Sequence, residues 1–445
     1  MPKQNNVERV LIQTVGTGGQ NNPVWEALAF AVAQRRPQVL VQWCSEETLR
    51  NTVPRFEQAL GKQNVPPEVR RDACTEPDNV DRLARRYLAH IDRLRSEFPD
   101  AVIEVDFTSG TKPMSAAAVA AAVARRLPRL HYAVGPRDAT GRVVQTDRLV
   151  SLDTGQMVAD PVLCELGRLF DRGQFAAVAA QAAPLAAQLT DARLRARAES
   201  LAYLAETYDL WDRFCWKQAF SLLRDHAKRE RASGCLSAGG WDVAVLAEQV
   251  RHLKQCKEGR AQPARLADLL ANAERRIAQG DYDDAVSRLY RLTEYVAQVR
   301  FRERFDIAKL DNPTGKVPLP KLAAHAPALA ADLQARNRLK NGTADLGLRD
   351  AIAALAEAGD PVGRAMQARY DPPSGSAGKA KGPLGRLLDM RNQSLLAHGT
   401  LPIDRETAEA LHEDVTAIVH QHLHAEGLAP ADVLRPARFL PCPWG

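Results

Sequence analysis

Hydrophobic and polar residues follow one pattern in the first third of the chain and another pattern in the rest. Up to about residue 155, short apolar runs alternate with segments whose apolar residues recur at helical spacing. The apolar runs predict strands over residues 7–15, 38–44, 102–109 and 130–135. Strands that alternate with helices favour a mostly parallel sheet with helices on both faces. We therefore expect a Rossmann-like α/β domain at the N-terminus.

From about residue 156 the strand signals stop, and the pattern is helical with few interruptions. Two places share a glycine, an aromatic residue two positions on, and a small apolar residue three positions after that: Gly173, Phe175, Val178 and Gly280, Tyr282, Ala285. One pair at irregular separation does not make a repeat array. The pattern predicts helical hairpins in an all-α C-terminal region.

Composition adds little to this picture. A chain of 445 residues is too long for one ordinary core, and 45% hydrophobic and 26% charged residues are values typical of globular proteins. The net charge of +6 permits an anionic partner, although a solvated arginine-rich surface explains it equally well. No apolar run approaches the roughly 20 residues of a membrane span, so we expect a cytoplasmic protein with no membrane partner.

The cysteines do not indicate a metal site or a disulfide framework. There are 7 of them, scattered singly and without a CxxC pair. A second candidate for metal binding is the cluster of His420, His422 and His424. Alternate spacing on a helix spreads these rings around its axis, and no carboxylate is placed to complete a site. We therefore predict no metal and no cofactor. His131, inside a predicted strand, is interpreted as a packed residue.

Two polar turns follow predicted strands. The first, VGTGGQNN over residues 15–22, contains Gly16, Thr17 and Gly18. It lacks the dinucleotide-binding fingerprint because residue 21 is Asn, which disfavours a nicotinamide cofactor. Glycine and Ser/Thr turns cap helices in most α/β domains, so capping without ligand binding stays an alternative for this turn and for the next one.

The second turn lies in DFTSGTKPMSAAA, residues 106–118. It offers hydroxyls, backbone N–H groups and one positive charge at Thr108, Ser109, Gly110, Thr111 and Lys112. A helix N-terminus with free amides attracts phosphate. The pattern GxxxxGK[ST] is absent, which disfavours nucleoside-triphosphate hydrolysis. If the strands before the two turns are neighbours, both turns face one crevice, and we favour a phosphodiester-bearing ligand there.

The stretch DMRNQSLLAHGTLP, residues 389–402, places two polar side chains on an apolar helix face. Arg391 and His398 are two helical turns apart, less about 20°. They lie on a stripe with Leu384, Leu387, Leu388 and Leu395. Because an unpaired buried charge is costly, this face should line a polar cleft or an interface with a second copy of the chain.

An arginine and a histidine in this arrangement suit cleavage of RNA by its own 2′-hydroxyl. The histidine would transfer protons, the arginine would stabilise charge developing on the phosphate, and no metal would be needed. The alternative is structural: the arginine pairs with a carboxylate and the histidine caps the helix before Gly399. Spacing alone does not decide between them.

Taken together, VGTGG and DFTSGTKPMS resemble a CARF domain, and RNQSLLAHG resembles the R-x4-6-H motif of HEPN ribonucleases. In this order they resemble the CARF–HEPN ribonuclease family of type III CRISPR antiviral defence. The resemblance implies a CARF domain over residues 1–155, a helical connecting region over 156–264, and a HEPN domain over 265–428. Residues 429–445 are expected to form an extended C-terminal tail.

The family implies a homodimer that is activated by cyclic tetra- or hexa-adenylate and cleaves single-stranded RNA without a metal. On this resemblance Arg391 and His398 are catalytic and Asn392 supports them. The activator contacts are Gly16, Thr17, Gly18, Thr108, Ser109, Gly110, Thr111 and Lys112. Two alternatives stay open: a CARF sensor with an inactive HEPN dimerisation domain, and a ring nuclease that degrades cyclic oligoadenylate.

Overall fold

A computed structural model describes most of the chain. The described residues are 7–17, 23–61, 66–136, 143, 145–258, 262–307, 312–370, 382–393 and 402–445. They form two compact units. The N-terminal unit is Met1–Val162 with Ala187–Arg195, and the C-terminal unit is Leu163–Ala186 with Ala196–Gly445.

The N-terminal unit is built around a six-stranded sheet with strand order β3-β2-β1-β4-β5-β6. Its elements are β1 (Arg9–Thr14), α1 (Val24–Arg35), β2 (Val39–Ser45), α2 (Glu46–Asn51), α3 (Val53–Leu60), β3 (Glu68–Cys74), α4 (Val80–Glu97), β4 (Val102–Asp106), α5 (Lys112–Ala124), β5 (Arg129–Val134) and β6 (Arg148–Asp153). Strands β1 to β5 are parallel, and β6 is antiparallel to β5. The predicted Rossmann-like architecture is confirmed.

Helices cover both faces of this sheet because its central strands are apolar on both sides. In β1, Val10 and Ile12 pack with the buried residues of α4 and α5. Leu11, on the opposite face, packs with α1 and α3. Side chains alternate along a strand, so a continuous apolar run buries both faces. The polar turns that follow β1 and β4 are left at the carboxyl edge of the sheet.

Two edge strands of the sheet were not predicted from the hydrophobic pattern. Strand β3 reads EVRRDAC, and β6 reads RLVSLD. Each has only one neighbouring strand, and Arg70 of β3 pairs with Glu97 of α4. Charged residues on an edge strand hinder pairing with other chains, and they also remove the apolar run by which a strand is recognised in sequence. In addition, the strand predicted over residues 102–109 ends at Asp106, where the polar turn begins.

The C-terminal unit is almost entirely helical, as predicted. Its elements, beginning with a helix that crosses the boundary between the units, are α6 (Thr154–Asp171), α7 (Phe175–Gln188), α8 (Ala192–Asp212), α9 (Trp216–Ser233), α10 (Cys235–Ala238), α11 (Val243–Glu258), α12 (Gln262–Gln279), α13 (Tyr282–Arg304), β7 (Val317–Pro318), α14 (Leu319–His325), α15 (Pro327–Ala335), β8 (Leu339–Lys340), β9 (Thr343–Ala344), α16 (Leu348–Glu357), α17 (Pro361–Tyr370), α18 (Pro383–Gln393), α19 (Arg405–Ala425) and α20 (Pro430–Leu434). The three short strands form a small antiparallel sheet. None of the described helices combines the length and the apolar character needed to cross a membrane.

The two glycine patterns mark two helical hairpins. Gly173 and Gly280 have positive φ angles of 76° and 84°, and the helices α7 and α13 begin two residues after them. Glycine is favoured at such positions because it adopts the left-handed conformation without a steric penalty. The larger core of this unit is formed by α12, α13, α16 and α19 with their neighbours.

The chain end differs from the extended tail predicted over residues 429–445. It contains α20 and a 3₁₀ turn, and then packs against the earlier helices. The Phe439 ring stacks on Tyr208 at 4.0 Å, and the backbone N–H of Cys442 donates to Asp171 at 2.7 Å. Prolines suggested a surface course, but apolar residues placed between them, including Phe439 and Cys442, are anchored on this unit.

Candidate functional site

The two polar turns of the N-terminal unit lie side by side. Strands β1 and β4 are parallel neighbours, with Gln13 opposite Asp106. Beyond their ends, the backbone N–H of Gly16 donates to Oγ of Ser109 at 2.8 Å, and the Thr14 hydroxyl donates to the Ser109 carbonyl. The expectation that both turns face one crevice therefore agrees with the sheet order. Gly18, also predicted as a ligand contact, lies outside the described residues.

Glycine is required at this crossing of the two turns. A Cβ atom on Gly16 would lie 2.5 Å from the Gly110 nitrogen. Gly110 itself has a φ angle of +113°, which side chains of L-residues rarely allow. The backbones thus approach closely, and their polar groups are concentrated at the carboxyl edge of the sheet.

Most hydroxyls of the second turn already have protein partners. Thr108 Oγ1 donates to Asp106 and accepts from the Ala133 N–H at 2.8 Å. Thr111 Oγ1 caps α5 by accepting from the Met114 N–H at 3.3 Å, and it donates to the Pro77 carbonyl at 2.9 Å. These two side chains hold the turn in shape, which is the capping role that the sequence left open.

Thr17 and Lys112 differ from the other predicted contacts because both are exposed. Lys112 is the first residue of α5, so its ammonium group adds to the positive end of the helix dipole. Ser109, in contrast, is 6% exposed. The crevice thus offers an exposed hydroxyl, an exposed cation and the backbone of two glycine-containing turns.

Two polar residues that the sequence analysis did not single out, Gln13 and Asp106, lie at the ends of the strands that lead into the turns. Asp106 is fully buried; it accepts from the Thr108 N–H at 2.9 Å and from Nε2 of Gln13 at 2.8 Å. Burial raises the pKa of this carboxyl, and the hydrogen bonds from Thr108 and Gln13 oppose the rise. The signal available in the sequence was a polar residue within each apolar strand.

His131 is packed, as predicted, and belongs to a buried polar group on β4 and β5. Its Nδ1 lies 2.8 Å from Oγ of Ser151, and its Nε2 lies 3.4 Å from Glu104. Burial alone would raise the pKa of Glu104, but hydrogen bonds from His131 and Arg35 lower it to about 2. Glu104 is therefore ionised and paired at neutral pH.

The predicted catalytic residues lie at the end of α18 and beyond it. Leu384 and Leu387 are 2% and 0% exposed and pack in the core of their own unit, so this part of the face is not the interface with a second copy that the sequence suggested. The backbone of Arg391 and Asn392 is in the last turn of α18. His398, together with Leu395 and Gly399, lies outside the described residues. The structure therefore does not test the proximity of Arg391 and His398.

The histidine cluster near the chain end is spread around α19. His422 is 1% exposed, and burial lowers its pKa, whereas His424 is exposed. The rings therefore point in different directions. Within the described parts of the chain, no three His, Cys, Asp or Glu side chains are grouped so as to hold a metal ion.

Residues 255–421 match a family model described as the Csm6 HEPN domain. This segment is therefore similar to the HEPN domain of Csm6 proteins. The matched segment contains Arg391 and His398, and it includes α12, α13 and α16 to α18. No curated protein matches the chain.

A solved structure extends the similarity to both units. Csm6 from Enterococcus italicus, bound to cyclic hexa-2′-fluoro-hexa-dAMP, aligns with a TM-score of 0.60 and 13% sequence identity. The alignment covers 94% of this chain and 95% of that chain. At this identity the alignment shows a shared fold over nearly the whole chain. With the family match over residues 255–421, this shared fold agrees with the resemblance to CARF–HEPN proteins that the sequence motifs predict.

Proposed function

We propose that this protein is a single-stranded endoribonuclease of type III CRISPR defence that cyclic oligoadenylate activates. The observation that carries the proposal is a Csm6-type HEPN match over residues 255–421 in a chain whose N-terminal unit has two converging polar turns. The Csm6 of similar fold is bound to a cyclic hexanucleotide analogue, which supports the same class of ligand here.

The activator binds at the turns after β1 and β4. Gly16, Thr17 and Gly18 approach it from one side, and the segment 108–112 approaches it from the other. Backbone N–H groups and the start of α5 accommodate phosphate, and Lys112 supplies the positive charge. Ser109, Thr108 and Thr111 act chiefly by shaping the turn, because their hydroxyls are engaged with protein atoms.

Cleavage takes place at Arg391 and His398, with Asn392 in a supporting role. His398 takes the proton from the attacking 2′-hydroxyl or delivers one to the leaving 5′-oxygen. Arg391 stabilises the additional negative charge on the phosphate. These two roles require no metal. Leu384 and Leu387 hold the beginning of α18 in the core of its own chain. The family resemblance implies that the active protein is a homodimer.

Activation requires the ligand to bind the cleaving arrangement of the dimer more tightly than the idle one. The test is cleavage of labelled single-stranded RNA in EDTA, with cyclic tetra-adenylate, cyclic hexa-adenylate or neither. We expect one ring to accelerate cleavage by at least a hundredfold, and His398→Ala to abolish it. His424→Ala is the matched control, because His424 is an exposed histidine of the same unit.

The other outcomes are equally informative. Binding of a ring without cleavage in any condition would replace the proposal with a sensor whose HEPN domain is inactive. Loss of the intact ring in the Arg391→Ala, His398→Ala double variant would identify a ring nuclease in the N-terminal unit. Cleavage that requires added Mg²⁺ would contradict the metal-independent mechanism.

A further inference from the structure

A cavity of about 870 Å³ lies within the C-terminal unit, away from α18. It is lined by the turn between α6 and α7, by the last turns of α12, and by the chain end from Arg438 to Pro441. Pockets for small ligands typically occupy about 300–1,000 Å³. The cavity therefore has room for a ligand of nucleotide size.

The cavity lies between the two helical hairpins whose glycine turns share a sequence pattern. Gly173 lines it, and Gln279, directly before Gly280, lines it from the other hairpin. A Cβ atom on Gly173 would lie 2.1 Å from Nε2 of Gln279. Glycine at 173 thus makes room for an amide side chain that can both donate and accept hydrogen bonds at the cavity wall.

The wall carries more arginines than acidic residues. Three arginines line it: Arg172, Arg275 and Arg438. Both acidic residues on the wall are already engaged: Asp171 accepts from the Cys442 N–H at 2.7 Å, and Glu274 lies 3.4 Å from His412 and 3.5 Å from Arg438. Arg172 is exposed and has no ion-pair partner among the residues that the structure describes.

Arg275 has an unused donor at this wall. Its Nε donates to Asp212 at 2.7 Å, and its guanidinium lies 3.9 Å from the centre of the Phe439 ring. Its Nη2 atom is buried and has no hydrogen-bond partner in the described parts of the chain. A buried donor without an acceptor is costly, and a bound anion or water relieves that cost.

We propose that this cavity binds a nucleotide through its phosphate, which Arg172, Arg275 and Arg438 hold. Arginine is suited to this role because its planar fork matches two phosphate oxygens at once. The base lies on the apolar part of the wall, formed by Phe175, Ala271 and Leu440, and Gln279 contacts its polar edge. The nucleotide is either free or the 5′-phosphorylated end of an RNA strand, since both present the same chemical group.

Binding is measured by calorimetry with the full chain, using adenosine 5′-monophosphate and 5′-phosphorylated tetra-adenylate. The His398→Ala background keeps the oligonucleotide intact. We expect Arg172→Ala and Arg438→Ala each to weaken binding at least tenfold. Arg168→Ala is the matched control and should leave binding unchanged, because Arg168 is an exposed arginine of α6 that pairs with Glu165.

A comparison with Lys112→Ala separates this site from the crevice of the N-terminal unit. Binding lost in the arginine variants and kept in Lys112→Ala supports the cavity. Tighter binding of the monophosphate identifies a free nucleotide, and tighter binding of the tetra-adenylate identifies a strand end. Binding that both Arg172→Ala and Arg438→Ala leave unchanged, or that Lys112→Ala alone removes, overturns the proposal. Because cleavage is not the readout, its outcome is independent of the nuclease activity proposed above.

Discussion

The backbone N–H of Gly16 donates to the side-chain oxygen of Ser109 at 2.8 Å, across 93 positions of sequence. This hydrogen bond joins the turn after β1 to the turn after β4. It forms because the two strands are neighbours and because Gly16 and Gly110 carry no Cβ where the two backbones approach each other. The shape of the crevice therefore depends on two glycines and one serine as a set.

Gly16→Ala should disrupt this contact. The new methyl group would lie 2.5 Å from the Gly110 nitrogen, so the two turns would have to separate. We expect a loss of about 1–3 kcal/mol in unfolding free energy, as for other overpacked sites, and weaker binding of cyclic hexa-adenylate. Urea unfolding and calorimetry measure the two effects.

Gly61→Ala is the control for this substitution. Gly61 ends α3 with a φ of −61°, and the nearest atom to a Cβ there is 3.4 Å away. It should leave both stability and ligand binding nearly unchanged. Equal effects of the two substitutions would show that the close approach at Gly16 has no special role.

Lys112→Ala should weaken activator binding without destabilising the fold. The side chain is exposed, so its removal leaves no buried group unpaired. We expect affinity for the activating ring to fall roughly tenfold, which corresponds to about 1.4 kcal/mol. The difference should shrink as salt is raised, because salt screens exposed charges. Lys217→Ala, at an exposed lysine of α9, should have no effect. Unchanged affinity at low salt in Lys112→Ala would remove Lys112 from the proposed site.

The sequence was sufficient for the features that local chemistry determines. The apolar run at β1 predicted a buried strand, and helix capping, which Thr111 performs, was one of the two roles that the sequence left open for the polar turns. Strand β3 could not be found in this way, because Arg70 and Arg71 face partners that only the tertiary structure supplies. For the same reason, the packing of Phe439 on Tyr208 could not be predicted from the proline-rich sequence of the chain end.

The candidate site was predictable only in part. The sequence located both turns, but hydroxyl groups in a turn look alike whether they bind a ligand or a backbone amide. The structure separates Thr108, whose hydroxyl is bound to Asp106, from the exposed Thr17. It also adds Gln13 and Asp106, because a buried polar pair across two strands depends on their register.

Asp268→Ala should destabilise the C-terminal unit strongly. Asp268 is completely buried on α12, and its two carboxylate oxygens accept the indole N–H groups of Trp211 and Trp216, each at 2.5 Å. Both tryptophans precede the segment that matches the HEPN family. Removing the acceptor leaves the buried indole N–H of Trp211 and the half-buried indole N–H of Trp216 unsatisfied, and we expect a loss of about 3–5 kcal/mol.

Chemical denaturation of the full chain, followed by tryptophan fluorescence, measures this loss. Glu165→Ala, at an exposed position of α6, should change stability by less than about 0.5 kcal/mol. Asp268→Asn should be intermediate, since an amide oxygen can still accept one of the two indole N–H groups. A change in Asp268→Ala no larger than in the Glu165 control would mean that the two indole hydrogen bonds contribute little.

His226 should make the stability of the C-terminal unit depend on pH. The ring is 3% exposed, stacks on Tyr203 at 3.9 Å, and has no hydrogen-bond partner for either nitrogen among the described residues. Burial, together with a smaller effect of the nearby Arg229, lowers its pKa from 6.5 to about 4. The folded protein therefore keeps this ring neutral in mild acid, whereas the unfolded chain takes up a proton.

The contribution of His226 to the free energy of unfolding is fully present above pH 6.5 and decreases as the pH falls towards 4. The reason is that the unfolded state binds more protons than the folded state in this pH range. The total change is about 3 kcal/mol at 1.36 kcal/mol per pKa unit. His226→Phe preserves the stacked ring and should remove this part of the slope, while His424→Phe, at an exposed position, should keep it. Hydrogen exchange in α9 between pH 4.5 and 7.5 reports local stability, with rates corrected for intrinsic exchange. Parallel slopes in wild type and His226→Phe would assign the acid sensitivity of this unit to other groups.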